Sequence, residues 1–478
     1  MSVARALAWN TGVQLIGKII STIFGIFVVG LLTRLLGQAG FGLYTAANAY
    51  LQIFALILDL GINVTFSALL GEHAQDEEYE KRCVSALFTL RAVMAVIVLG
   101  LAPLLWYLIY PTEHLMLLAI IALNASVFFP AINQILIGLQ QRHLRMHIPA
   151  IGEVVGRAFL LIGLLVGAAQ GWTLVSLLWL VSIGSFLNFL FCLLFVQPRG
   201  RIRLNWDPSF WKQTLVRSWP IGVSIAFNLV YFKADTFILS RVRSLAEVGL
   251  YGAAYRVLEI LITVPFMYAG ILLPLLSQVW GKKDHAKFST YLSRSIEVML
   301  YLVCPMVVGT WLLGPEIMTI VSGPTFASSG EVLRILIIAV GIIYVNTITS
   351  HAIVALNTQR KMLPIYIVVA LFTLAGYLLF IPKYGMWAAA WLTVASEIGV
   401  CIGSWTMVQR TSPFHLDPRT VLATISASLL MGGVVWFFHL ASLALSIGLG
   451  VIVYTIALLA LGGVTITRLK QLLKPSEG

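Results

Sequence analysis

Fourteen apolar runs follow one another along this sequence with little between them, and that succession limits the fold more than any other feature. They lie near 8–32, 41–70, 83–110, 114–138, 148–169, 172–196, 215–240, 249–279, 294–313, 331–356, 362–382, 385–408, 419–440 and 442–463. Crossing about 30 Å of hydrocarbon takes about 20 apolar residues in a helix, and these runs supply it. Only 10% of the residues are charged and 59% are hydrophobic. A soluble domain carries about 25% charged residues, so an aqueous-facing globule is excluded. The expected class is all-α: a polytopic membrane protein of about fourteen transmembrane helices. Gly314-Pro315 and Gly323-Pro324 interrupt the stretch 314–330, where helix breaks and a short interfacial helix are expected.

The charges between the runs fix an orientation. With the N-terminus inside, the inner loops and tails receive 21 Lys and Arg, among them Lys81, Arg82, Arg142, Arg145, Arg199, Arg201, Arg217, Lys282, Lys283, Arg360, Arg410 and Arg468. The outer loops receive five: Arg34, Arg241, Arg243, Arg334 and Lys383. That alternation places both termini in the cytoplasm. The net charge of +12 therefore reads as membrane topology, and no nucleic-acid partner is expected. The first run is too long for a signal-peptide core and reads as a retained span. Cys83, Cys192, Cys304 and Cys401 fall in separate apolar segments without metal-ligand spacing. Neither a disulfide framework nor a metal site is expected, and these cysteines read as small apolar packers.

An internal echo adds symmetry. Arg34, Gly42-Leu43-Tyr44 and Ala46-Ala47 recur 207 positions later as Arg241, Gly249-Leu250-Tyr251 and Ala253-Ala254. A second, weaker echo links Gly138-Leu139-Gln140, Arg142 and Pro149 to Ala355-Leu356-Asn357, Arg360 and Pro364. Spans one and two thus match spans seven and eight, and the repeat unit is six helices. The expected organisation is two pseudo-symmetric six-helix lobes, 1–200 and 201–410, followed by two C-terminal helices and a tail in 411–478. Parallel repeats of this kind are a common construction of transporters that open alternately to the two sides.

Ionisable residues at membrane depth are costly and face cavities or partners. Five cations lie there: Lys18, Arg91, Arg157, Lys233 and Arg256. Together they make the candidate binding set for an anionic headgroup, since contacts to phosphate are strong in a low-dielectric site. Lys18 and Arg157 lie nearest the midplane. Glu153 with Arg157 and Arg256 with Glu259 share helix faces, so simple neutralisation stays open as the rival account. Asp59 and Glu397 are the candidates for carrying a coupling proton or Na+; static pairing with Lys18 or Arg157 is the alternative. Asp235 reads as capping or pairing locally. Pro265 and Pro274 are candidate hinges. No other cofactor is expected.

Three stretches carry a family resemblance. They are Thr33-Arg34-Leu35-Leu36-Gly37 with Gly40-Phe41-Gly42-Leu43-Tyr44, Asp235-Thr236-Phe237-Ile238-Leu239 with Glu247-Val248-Gly249-Leu250-Tyr251, and Gly323-Pro324-Thr325-Phe326 with Val332-Leu333-Arg334-Ile335-Leu336. They resemble the oligosaccharide (O-antigen) flippases of the polysaccharide transporter family. The resemblance covers essentially the whole chain and extends to related teichuronic-acid, colanic-acid and succinoglycan exporters. It implies the multidrug/oligosaccharidyl-lipid/polysaccharide exporter fold, with two lobes around a cationic cavity. It also implies a non-enzymatic flippase that moves an undecaprenyl-diphosphate-linked glycan across a bacterial cytoplasmic membrane, alongside the polymerase and glycosyltransferases of its pathway.

Rivals of the same fold are a peptidoglycan-precursor (lipid II) flippase and a multidrug/cation antiporter. The rival of another class is a membrane glycan polymerase or glycosyltransferase. Its catalytic acids would have to come from the acidic loop Glu72, Asp76, Glu77, Glu78 and Glu80, which reads better as a solvated loop.

Overall fold

Every regular element among the described residues is helical, as expected where backbone groups in lipid must be satisfied within their own segment. The computed structural model describes residues 3–73, 75–196, 202–438 and 442–463, and side chains outside 3–11, 220–221 and 223–232. Residues 439–441, Arg199, Arg201 and the stretch beyond Gly463 lie outside the described residues.

The chain divides into two compact units, Met1–Gly252 and Ala253–Gly478. The first holds α1 (Val3–Asp59), α2 (Ile62–Glu72), α3 (Glu77–Ile109), α4 (His114–Arg142), α5 (His147–Gln170), α6 (Leu174–Leu194), α7 (Pro208–Val242) and the start of α8 (Leu245–Leu261). In it α1 packs on α5, α4 and α7, while α6 packs on α4 and α5. The second unit holds the rest of α8, then α9 (Thr263–Gly281), α10 (His285–Ser322), α11 (Ser329–Ala355), α12 (Gln359–Tyr384), α13 (Met386–Thr411), α14 (Pro418–Phe438) and α15 (Leu443–Ala460). There α11 is the central helix, packed on α9, α10 and α13.

Among the described residues, twelve helical stretches are long and apolar enough to cross a membrane. One of them, Gly12–Glu72, contains two expected spans, and α7 is also of spanning length. The protein is a multi-pass membrane protein with twelve to fourteen crossings. Outward faces carry large apolar side chains such as Leu108, Leu194 and Phe437, which lipid solvates without penalty. Helices in lipid associate through close packing rather than hydrophobic exclusion, and small residues permit it. At the α5–α6 crossing a Cβ on Gly156 would meet the Gly184 carbonyl at 2.5 Å, and one on Gly184 would meet the Gly156 carbonyl at 2.8 Å.

Helix interruptions differ from expectation in four places. The first turn is only Gly37, with φ 64° and ψ −177°, so α1 runs through with a kink instead of a loop. Span two breaks inside the membrane at Leu60 and Gly61, both at positive φ (37° and 75°). Span eight divides at Ile262, just before Pro265, which cannot donate to the Leu261 carbonyl. In the opposite sense, the expected break at Gly314-Pro315 is only a kink at Leu313, and α10 continues to Ser322 before the 3-10 turn Pro324–Phe326. Arg334 of α11 explains that continuity. Its Nε donates at 2.6 Å to the Trp311 carbonyl that Pro315 leaves without an amide.

The two copies of the sequence echo meet inside the first unit. A Cβ on Gly42 would strike the carbonyl of Leu245, and one on Gly249 would strike the carbonyl of Gln38. Gly42 and Gly249 are equivalent positions, and so are Gln38 and Leu245. The conserved spacing of the echo is thus a reciprocal backbone contact between α1 and α8.

Candidate functional site

The deepest cations are brought together by the packing of α5 on α1. Lys18 Nζ lies 3.4 Å from Glu153 Oε1, and Arg157 Nη2 lies 2.9 Å from the same oxygen. Ser21 Oγ donates to that oxygen at 2.6 Å, and Arg157 Nη1 donates to the Ser21 carbonyl at 2.8 Å. Gly25 makes this possible: any Cβ there would collide with the Arg157 guanidinium. Two cations on one carboxylate leave a net charge of +1. The side chains keep 41% (Lys18), 30% (Glu153) and 36% (Arg157) of their surface, so the cluster is open rather than sealed.

Arg91 is held differently. It is 2% exposed and donates to Asp59 (2.8 Å), Asn63 (2.9 Å) and the Ala131 carbonyl (2.8 Å). Asn63 also donates to Asp59 at 2.8 Å. The group joins α1, α2, α3 and α4 at the point where span two breaks. Asp59, the first coupling candidate, is therefore already neutralised by a guanidinium.

In the second unit Arg256 pairs with Glu259 at 2.7 Å along α8. Lys233 of α7 is partly exposed and within electrostatic reach of Asp235. Asp235 itself is fully buried. It accepts hydrogen bonds from the Tyr251 hydroxyl, from the Thr236 amide at 2.5 Å and from the Thr236 hydroxyl at 3.1 Å. Its tie to Tyr251 links α7 to α8 across their turn and gives the repeated tyrosine a task. Glu397 of α13 is 2% exposed, and its Oε1 has no hydrogen-bond partner. Sequence reading gave no role to Ser21 or Asn63. Each is an ordinary polar residue whose importance comes from a partner many positions away.

At the end carrying the basic loops, the acidic loop is absorbed into structure. Asp76 caps α3 by accepting from the amides of Glu78 (3.1 Å) and Tyr79 (2.9 Å). Glu80 pairs with Arg142 (2.5 Å) and His143 (2.8 Å), and Glu72 pairs with Arg217. Arg82 pairs with Asp207 at 2.6 Å, and Asp207 also caps α7 through the Phe210 amide at 3.1 Å. The Arg82 hydrogen bond, aided by Ser209 and that amide, pulls the Asp207 carboxyl down to about 2. Phe210, Trp211 and Leu215 pack against α2 and α3. At the far end of α7, Arg241 grips Glu113 at 2.9 Å and lies over the rings of Tyr110 (3.9 Å) and Trp106 (5.1 Å). Helix α7 is clamped to α2 and α3 at its basic-loop end and to the α3–α4 turn at the other.

Among the described residues, no group of three or more His, Cys, Asp or Glu could hold a metal ion.

Similarity to known proteins agrees with this architecture. Over 99% of its length the chain is 23% identical to 99% of a protein named probable flippase AglR, of Haloferax volcanii. Over 71% of its length it is 25% identical to 67% of the succinoglycan biosynthesis transport protein ExoT of Rhizobium meliloti. Among solved structures, the inward closed conformation of the lipid II flippase MurJ superposes with a TM-score of 0.77 over 93% of this chain and 97% of that one, at 16% identity. The MatE family model matches residues 220–379. The model described as polysaccharide biosynthesis protein matches residues 7–280, more than half of the sequence, and to that family of membrane transporters the chain belongs.

Proposed function

We propose that the protein is a flippase that moves an undecaprenyl-diphosphate-linked oligosaccharide, an O-antigen or exopolysaccharide repeat unit, from the inner to the outer leaflet of a bacterial cytoplasmic membrane by alternating access. The observation that carries this reading is the likeness to a named flippase along 99% of the chain. The open cluster of Lys18, Glu153 and Arg157 supports it chemically. A diphosphate offers charge-assisted partners to both cations and is worth most where water is scarce. Lys233 is a further contact. Arg91 joins them only when Asp59 releases it. The polyprenyl tail stays in lipid, and no bond in the substrate is made or broken. Both termini face the cytoplasm, as the basic loops require. An H+ or Na+ gradient drives the return step, and the polymerase and glycosyltransferases of the pathway consume and supply the substrate.

The test is a deletion strain complemented with the wild-type gene. Loss of surface glycan with accumulation of its lipid-linked precursor, restored on complementation, is the expected result. Arrest of peptidoglycan synthesis instead would assign the lipid II reading. A change confined to drug susceptibility would assign the antiporter reading.

A further inference from the structure

We propose that Glu397 is a proton-binding site built into the second unit, and that of the two intramembrane acids considered for coupling it alone takes up and releases a proton. Its use in coupling rests on the transporter reading above; the site itself does not. The carboxyl sits on α13, 2% exposed, and faces α11 and α12. Its hydrogen-bond donor is the Asn346 amide. That amide is fixed in orientation, because Asn346 Oδ1 accepts from Ser404 Oγ at 2.9 Å and Ser350 Oγ at 3.3 Å. Ser404 is itself bonded to Thr349 at 2.8 Å. The network therefore turns an N–H toward Glu397 and leaves Oε1 without a partner.

An ionised carboxylate needs several donors or a counter-charge when buried, and it has neither here. Among the described residues, the titratable groups that interact with it are the Tyr366 hydroxyl of α12 and the Cys401 thiol one turn along α13, both neutral. His351 of α11 has its ring turned to the Thr347 carbonyl at 2.7 Å. A proton added to the carboxylate forms one O–H bond and removes the charge. A sodium ion would need several oxygen ligands, yet the Asn346 oxygen is already occupied and, among the described residues, no acid cluster surrounds the site. Asp59 is unsuited to the task because Arg91 compensates its charge at 2.8 Å.

Infrared difference spectroscopy on the purified full-length protein in vesicles tests this without any glycan substrate. A protonated-carboxyl band at neutral pH that titrates away on alkalinisation is expected. Glu397→Gln should remove it, Asp59→Asn should retain it, and sodium at constant pH should leave it unmoved. Asn346→Ala withdraws the donor that favours the charged form, so the band should persist to higher pH. Absence of the band from the wild type, its survival in Glu397→Gln, or its displacement by sodium would overturn the assignment. Should Glu397→Gln fail to fold, the Asn346→Ala shift decides alone, and an unshifted titration overturns it. The proton site and the flippase reading fail separately, since glycan export is not measured.

Discussion

The hydroxyl of Tyr344 donates to the carbonyl of Leu261 at 3.0 Å, and that carbonyl is the acceptor Pro265 leaves without an amide. The same device recurs. Asn124 donates to Leu99 (2.8 Å) below Pro103, Tyr454 to Tyr301 (2.8 Å) below Pro305, and Arg334 to Trp311 (2.6 Å) below Pro315. Each proline bend is thereby pinned by a side chain from another helix, which lets a freed backbone group exist in lipid. Tyr344→Phe removes one pin while keeping the ring. A loss of about 1 kcal/mol is expected, typical of interhelical hydrogen bonds in membranes, read as earlier denaturant unfolding in detergent. Pro265→Ala in the same background restores the amide and should recover most of it.

The reciprocal contact of Gly42 with Leu245 and of Gly249 with Gln38 gives the second expectation. Either Gly→Ala change forces a methyl into a backbone carbonyl, which cannot move aside as a side chain can. Each should destabilise by roughly 3 kcal/mol, at the upper end for overpacking. Because both act on one crossing, the double variant should cost less than the sum. Thermal unfolding of the four proteins measures this, and full additivity would argue against a shared contact.

Much of this architecture was legible from the sequence, and the part that was not has one physical cause. Apolar length reports each span's own energetics with lipid, so the spans were legible, while the places where they kink or break were not. The pairing of Glu153 with Arg157 was visible because both sit on one helix face. The pairing of Lys18 with Glu153, 135 positions apart, was not, because only the packing of α5 on α1 creates it. Likewise Gly314-Pro315 reads locally as a break, but Arg334 from α11 supplies the missing donor and the helix continues. Local sequence encodes the spans, and distant partners decide where they bend and which charges stay open.

Charge at the open cluster should govern transport more than stability. Lys18→Glu and Arg157→Glu reverse its sign and should abolish glycan export in a complemented deletion strain. Both residues keep over a third of their side-chain surface, so membrane levels should hold. Glu153→Gln raises the cluster from +1 to +2 and should tighten headgroup binding while slowing release, lowering turnover less than either reversal. Unchanged export in Lys18→Glu and Arg157→Glu would remove the cluster from the transport pathway.

The clamp between Arg82 and Asp207 sets an acid limit on the docking of α7. Asp207 is drawn down to about 2 in the folded chain, below the about 3.9 of an unperturbed aspartate. A carboxyl with a depressed folded value stabilises fully above its unfolded value and loses that contribution as pH falls through the folded one. The clamp should therefore be intact near neutrality and loosen only between about pH 4 and pH 2. Hydrogen exchange at residues 208–217 reports the basic-loop end of α7. Acid-induced opening there is expected in the wild type. Asp207→Asn retains an N-capping side chain but lacks the charge, so its exchange in the first turn should already be raised at neutral pH, with a smaller further step there on acidification. Arg217 and Glu72 still hold α7 about three turns further along, which confines the change to the start of the helix.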